Sequence, residues 1–229
     1  AAVALAFGAG ALAAHADIRI GLNVPRTGFA AADGQSALEG AQLAVARANA
    51  AGGVANQKIE LVVIDDQASP KEAAPAATKL VQKEKVVAAV SGSYSGSTRA
   101  AAPIFQRAQV PYVTAYAIHP DITLAGDYMF RVAAMGEVQG RAGAKLVHDL
   151  GKKRVALVTM KNDFGQALSA GFKEAAPKFG LTLAGEYEYG LQDRQFGPLV
   201  TKLKADNPDV IYASGYYFTA GPLVSQLRR

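Results

Sequence analysis

The 229-residue chain contains no cysteine. That excludes a disulfide framework and any thiolate metal site, although it does not by itself name a compartment. Histidine is scarce too: His15, His119 and His148 are the only three. None has a histidine or cysteine partner at metal-ligand spacing, so no metal site is expected. Serine-hydrolase chemistry needs a nucleophile elbow, Gly-x-Ser-x-Gly, and a histidine base, but Gly92-Ser93-Tyr94-Ser95-Gly96 puts tyrosine in the middle. No lysine follows Gly92 to Ser97, which excludes a phosphate-binding P-loop. A net charge of +5 comes from 24 Lys and Arg against 19 Asp and Glu, spread without a run or an aromatic-laced stripe. Nucleic acid is therefore not an expected partner, and no catalytic residue or cofactor is assigned.

What is present is apolar material: 50% of the residues are hydrophobic, enough for one large or two modest domains. Residues 1 to 16, AAVALAFGAGALAAHA, form an uncharged stretch ending in a small-x-small pattern, expected to be part of an export signal removed before Asp17. It is shorter and richer in Ala and Gly than a membrane anchor of about 20 strongly apolar residues. The expected location is therefore the periplasm.

From Asp17 onward strands and helices alternate. Strands are expected at 18–24, 58–64, 86–90 and 110–115, with helices at 35–50, 70–83 and 99–108 between them. Ser69-Pro70-Lys71-Glu72 reads as a capping box, and Pro111 belongs at a strand beginning or an edge. After residues 128 to 135 the pattern restarts, with strands at 154–160, 183–189 and 210–214 and helices between and after them. Strands alternating with helices at this spacing imply parallel sheets built from βαβ crossovers, with ligands beyond the carboxyl ends of the strands.

The stretch 86–120 carries the chemistry. An apolar strand breaks into a loop holding Ser91, Ser93, Ser95, Ser97 and Thr98, and a helix follows. Unpaired N–H groups and the positive end of the dipole at a helix start favour an anion, and these hydroxyls can donate to a carboxylate. One of the serines is expected only to cap the helix. Asp65, Asp66 and Asp163 sit at strand ends without paired acids or bases and are expected to cap or to be solvated. His119 is expected to be a solvated loop residue.

The segments IRIGLNVPRTG, KIELVVIDDQASPKEAAPAATKLV, VSGSYSGSTRAAAPIF, VPYVTA, FRV, RVALVTMKNDFGQ and FGPLVTKLKADNPDVIYASGY closely resemble the periplasmic substrate-binding proteins of ABC transporters. The resemblance is to the branched-chain amino acid (Leu/Ile/Val) binding group and runs nearly throughout from Asp17. It implies an α/β fold of two Rossmann-like lobes joined by a hinge, 17–131 and 132–229, the second lobe incomplete and the chain a fragment of a longer protein. It also implies a monomer without enzymatic activity that captures an amino acid or related carboxylate and passes it to ABC permease subunits in the membrane. The same architecture serves as the ligand-sensing domain of membrane receptors, which is the alternative.

Carried over by position, Ser95 grips the ligand carboxylate, with Ser93 and Tyr94 beside it. Further contacts fall on Tyr116 and Ile118, and Phe164 and Tyr216 close from the second lobe. The chain departs from the amino acid binders at Ile118, where they usually have a hydroxyl, and at Asp33, where they have tyrosine. An aromatic carboxylic acid suits the Tyr94, Tyr116, Ile118, Phe164 and Tyr216 set at least as well as leucine.

Overall fold

A computed structural model describes residues 17–228; the export signal expected at 1–16 lies outside the described residues. Two parallel sheets organise the chain. The first has five strands in the order β2-β1-β3-β4-β5: β1 Ile18–Val24, β2 Ile59–Asp65, β3 Ala88–Ser91, β4 Tyr112–Thr114 and β5 Met129–Arg131. The second has three, β7-β6-β8: β6 Arg154–Met160, β7 Thr182–Tyr189 and β8 Val210–Ser214.

Alternation along each strand assigns its side chains to two faces, and helices cover both. On the first sheet, Val62, Ile64 and Ala89 pack under α2 (Pro70–Thr78) and α3 (Ser95–Arg107), while Leu22, Val24 and Val90 pack under Leu38 of α1 (Ala31–Ala50). On β6, Val155 and Leu157 face α5 (Gly136–Asp149) and α6 (Asp163–Ala175). Its Ala156, Val158 and Met160 face α7 (Gly197–Asp206) and α8 (Tyr217–Leu227). Helices α5 and α6 cross closely because they lack side chains where they touch: a Cβ on Gly140 would lie 2.0 Å from the Leu168 carbonyl oxygen, and one on Gly171 2.1 Å from that of Glu137.

Parallel register places every carboxyl end of the first sheet along one edge, since Val24 pairs with Asp65, Asn23 with Ser91, Ser91 with Thr114 and Thr114 with Arg131. From β1 the chain crosses first to β2 on one side and then to β3 on the other. The loops after β1 and β3 therefore diverge and open a crevice between them.

Several elements differ from expectation. Strand β3 starts at Ala88 and not Val86, and α3 starts at Ser95 and not Arg99, so half of the serine loop is helix. A 3-10 turn at Gly28–Ala30 brings α1 in at Ala31, ahead of Gln35. The one-turn α4 (Asp121–Leu124) and the three-residue β5 carry too few residues to show a period and were not expected. Ser69 occupies the N-cap of α2 with Pro70 behind it, but its hydroxyl makes no cap bond, so the capping box does not form.

Candidate functional site

A cavity of about 970 Å³ opens between the two sheets' edges. Its floor is the start of α3 with the loop after β4, one wall is the small-residue face of α1, and the opposite side comes from α6 and the β8–α8 turn. Seven of the eight side chains assigned to binding line it: Asp33, Tyr94, Ser95, Tyr116, Ile118, Phe164 and Tyr216. Ser93 does not; it is 0% exposed and its Oγ donates to Asp66 Oδ1 at 2.9 Å.

Folding gives the five loop hydroxyls different partners, and only one of them reaches the cavity. Ser91 and Thr98 bond each other at 2.6 Å, Ser93 holds Asp66, and Ser97 Oγ is buried with no hydrogen-bond partner among the described residues. The N-cap of α3 is Tyr94, and no side-chain cap bond forms there, so no serine serves as cap. Ser95, the first residue of the helix, is the one that lines the cavity. Its Oγ accepts the Ile118 N–H at 3.1 Å, which leaves its own proton free to donate. Ile118 is thereby held through its backbone, with its carbonyl accepting the Gly136 N–H at 2.8 Å.

Beneath this floor lies a buried polar network. Asp66 is 0% exposed and not solvated as expected, because Asn23 Nδ2, Ser93 Oγ and the Ala68 N–H supply its carboxylate at 2.8, 2.9 and 3.0 Å. Burial pushes its carboxyl above the usual range, against the pull of those donors. Tyr112 extends the network by donating to Asn23 Oδ1 at 2.7 Å. The neighbouring Asp65 instead fastens the loop after β1, accepting from Thr27 Oγ1 at 2.6 Å and from the Arg26 N–H at 2.8 Å.

Aromatic rings span the gap between lobes. Tyr94 stacks on Tyr216 with centroids 4.5 Å apart, Tyr216 meets Phe164 at 4.7 Å, and Tyr94 meets Tyr116 edge-on at 6.1 Å. The rings form a column joining the first lobe to the second. Burial raises the Tyr94, Tyr116 and Tyr216 hydroxyls well above the ordinary tyrosine range, so all three stay protonated at neutral pH. Tyr94 donates to Asp33, and Tyr116 to the Gly92 carbonyl at 2.6 Å.

Outside the cavity, Arg99 of α3 pairs with Asp163 of α6 at 3.0 Å and bridges the lobes. The cap expected of Asp163 belongs to Asn162, whose Oδ1 accepts the Gly165 N–H at 2.8 Å. His119 is part-buried at a side-chain exposure of 15% and its Nδ1 accepts the Asp121 N–H at 3.3 Å, so it is not a free loop histidine. Among the described residues no group of His, Cys, Asp and Glu is placed to hold a metal ion, and no helix is long and apolar enough to cross a membrane.

Sequence reasoning passed over Phe29 and Phe218, which extend the column with centroids 5.6 Å apart. The run Tyr216-Tyr217-Phe218 carried a signal, three rings at a strand end; Phe29 carried none, since its place depends on the turn at Gly28.

Comparison with known proteins agrees with this geometry. An amino acid binding protein of Pseudomonas aeruginosa is 35% identical over 217 residues, which is 94% of this chain and 58% of that protein. The branched-chain amino acid transporter substrate binding protein LivJ of Streptococcus pneumoniae, solved in complex with isoleucine, superposes with a TM-score of 0.86 at 33% identity. It is matched over 93% of this chain and 61% of its own. A solute binding protein of an ABC transporter from Rhodopseudomonas palustris, in complex with 3,4-dihydroxybenzoic acid, superposes with a TM-score of 0.78 at 26% identity, over 86% and 54%. The chain thus spans somewhat over half the length of the proteins it resembles. These relatives are binding proteins, and the periplasmic binding protein pattern matches residues 17–229. Two parallel α/β layers facing each other across a hydroxyl-floored cavity, together with that match, place the chain in the periplasmic binding protein family.

Proposed function

We propose that this protein is the extracytoplasmic solute-binding component of an ABC transporter, exported by its N-terminal segment and acting as a monomer without catalysis. It captures a small amino acid or related carboxylic acid between lobes 17–131 and 132–229 and delivers it to permease subunits in the membrane. The observation that carries this reading is Ser95: a helix-start hydroxyl on the cavity floor, one of its lone pairs taken by the Ile118 N–H and its proton still to be given. A carboxylate accepts that proton and benefits from the N-terminal end of α3.

Capture is a hinge closure of the second lobe on the first. The acid docks on Ser95 in the open form, and the second lobe then swings in with Phe164 and Tyr216. Closure is favoured only by contacts that the open form lacks, and the rings of the second lobe supply them. An aromatic acid is the second reading, supported by the Tyr94-Tyr216-Phe164 column and by the dihydroxybenzoate-bound relative. Calorimetric titration of the intact protein with isoleucine, leucine, benzoate and 3,4-dihydroxybenzoate tests both. Saturable binding of at least one acid, weakened in Ser95→Ala, is expected; a bound acid found by crystallography away from Ser95 overturns the proposal.

A further inference from the structure

The other half-buried arginines among the described residues have acidic partners: Arg19 pairs with Glu60 and Glu84, and Arg141 with Glu174. Arg131, the last residue of β5, forms no ion pair among the described residues. Its guanidinium instead gives all its hydrogen bonds to neutral oxygens behind the cavity floor. Nη2 donates to the His119 carbonyl at 2.8 Å and Thr123 Oγ1 at 2.9 Å, Nε to Thr123 Oγ1 at 3.2 Å, and Nη1 to the Ala117 carbonyl at 3.4 Å. Arg131 does not line the cavity, whereas Ala117 and Ile118 do.

An unpaired charge taken from water is costly, so this arrangement calls for an anion nearby when the site is filled. The peptide between Ala117 and Ile118 connects the two places. Its carbonyl accepts from Arg131 and its N–H donates to Ser95 Oγ at 3.1 Å. Hydrogen bonds in series polarise one another, so a cation on the carbonyl strengthens the N–H as a donor and, through Ser95 Oγ, the Ser95 O–H as a donor in turn.

We infer that Arg131 is the positioning residue of the carboxylate subsite: it fixes the Ala117–Pro120 loop and transmits positive charge through the Ala117–Ile118 peptide and Ser95 to the ligand's anion. This rests on the carboxylate role of Ser95 proposed above. The neutral amide of the same ligand gains far less from that charge, so Arg131 sets the preference for acid over amide.

The test measures two probe pairs, isoleucine with isoleucinamide and benzoate with benzamide, by calorimetry on the intact protein and on its Arg131→Gln and Arg131→Lys variants. Arg131→Gln is expected to weaken the acid by about tenfold or more while changing the amide by less than about twofold, because charge-assisted bonds are the stronger kind. Arg131→Lys, which keeps the charge and loses the fork, is expected to restore most of the acid preference. Equal weakening of acid and amide, or an unchanged preference in Arg131→Gln, overturns the inference and reduces Arg131 to a loop support. Should Arg131→Gln fail to fold, Arg131→Lys decides: loss of the acid preference in a folded, charged variant overturns it, and retention upholds it. Wild-type protein that binds neither acid refutes the proposed function first, and the inference falls with it; binding by the wild type isolates the Arg131 question.

Discussion

Replacing Ser95 by alanine perturbs two bonds at once, and they separate experimentally. Without ligand, Ser95 Oγ is the acceptor of the Ile118 N–H, a group in a residue only 3% exposed. Alanine leaves that N–H without its partner, and an unsatisfied buried donor costs about 1 to 3 kcal/mol of stability. In the complex the hydroxyl donates to the carboxylate, and a bond to a charged group is worth about 1.5 to 3 kcal/mol, or roughly 10- to 150-fold in affinity. Part of this loss is offset if the freed Ile118 N–H turns to the carboxylate, so the lower half of the range is expected. Denaturant unfolding of the ligand-free protein reads the first quantity and calorimetric titration the second. A variant that is destabilised yet binds the acid with unchanged affinity refutes the carboxylate role and leaves Ser95 as a loop brace. Unchanged stability as well would refute the hydrogen bond itself.

Three further outcomes are expected. Tyr216→Ala removes the rings' contacts at 4.5 and 4.7 Å and should weaken binding by about 1 to 3 kcal/mol, two aromatic pairs' worth, while Tyr216→Phe stays close to wild type; calorimetry distinguishes them. Gly140→Ala drives a Cβ to 2.0 Å from the Leu168 carbonyl oxygen, so unfolding experiments should show a loss of about 3 kcal/mol, and a loss below about 1 kcal/mol would show that α5 and α6 separate freely. The adjacent carboxyls titrate in opposite directions by side-chain NMR. Burial raises Asp66; at Asp65 burial also acts upward, but donors from Thr27, Arg26 and Gln67 outweigh it and lower the value. Asp66 therefore contributes stability at acidic pH that is lost as pH rises through its folded value, and Asp65 contributes stability above the ordinary aspartate value that is lost as pH falls through its own. An Asp66 midpoint below that of Asp65 contradicts the burial argument.

The strand and helix pattern was legible because period-2 and period-3.6 runs are local properties: β1, β6 and β8 lie where their apolar runs place them, and the parallel sheets follow from the alternation. The exceptions are short or at boundaries. Three residues, Met129–Arg131, cannot display a period, and β5 exists because β4 offers it an edge with Thr114 opposite Arg131. The first turn of α3 looked like loop because Ser, Gly and Thr favour loops, yet burial of Ser95, Ser97 and Thr98 against the sheet draws them into the helix.

The order of residues by itself determined that an anion-friendly helix start follows the third strand and that rings cluster near it. Only the tertiary structure decided which hydroxyl faces the cavity, because Ser91, Ser93 and Ser95 are alike in type and differ in partner: Thr98, Asp66 and the Ile118 N–H. Those partners lie on other segments, Asp66 after β2 and Ile118 after β4. Arg131 shows the same division, since its unpaired charge and its reach to the Ala117 carbonyl exist only once β5 has docked beside β4. Local sequence encodes which bonds a side chain is able to make, and chain folding assigns each one from groups distant in sequence.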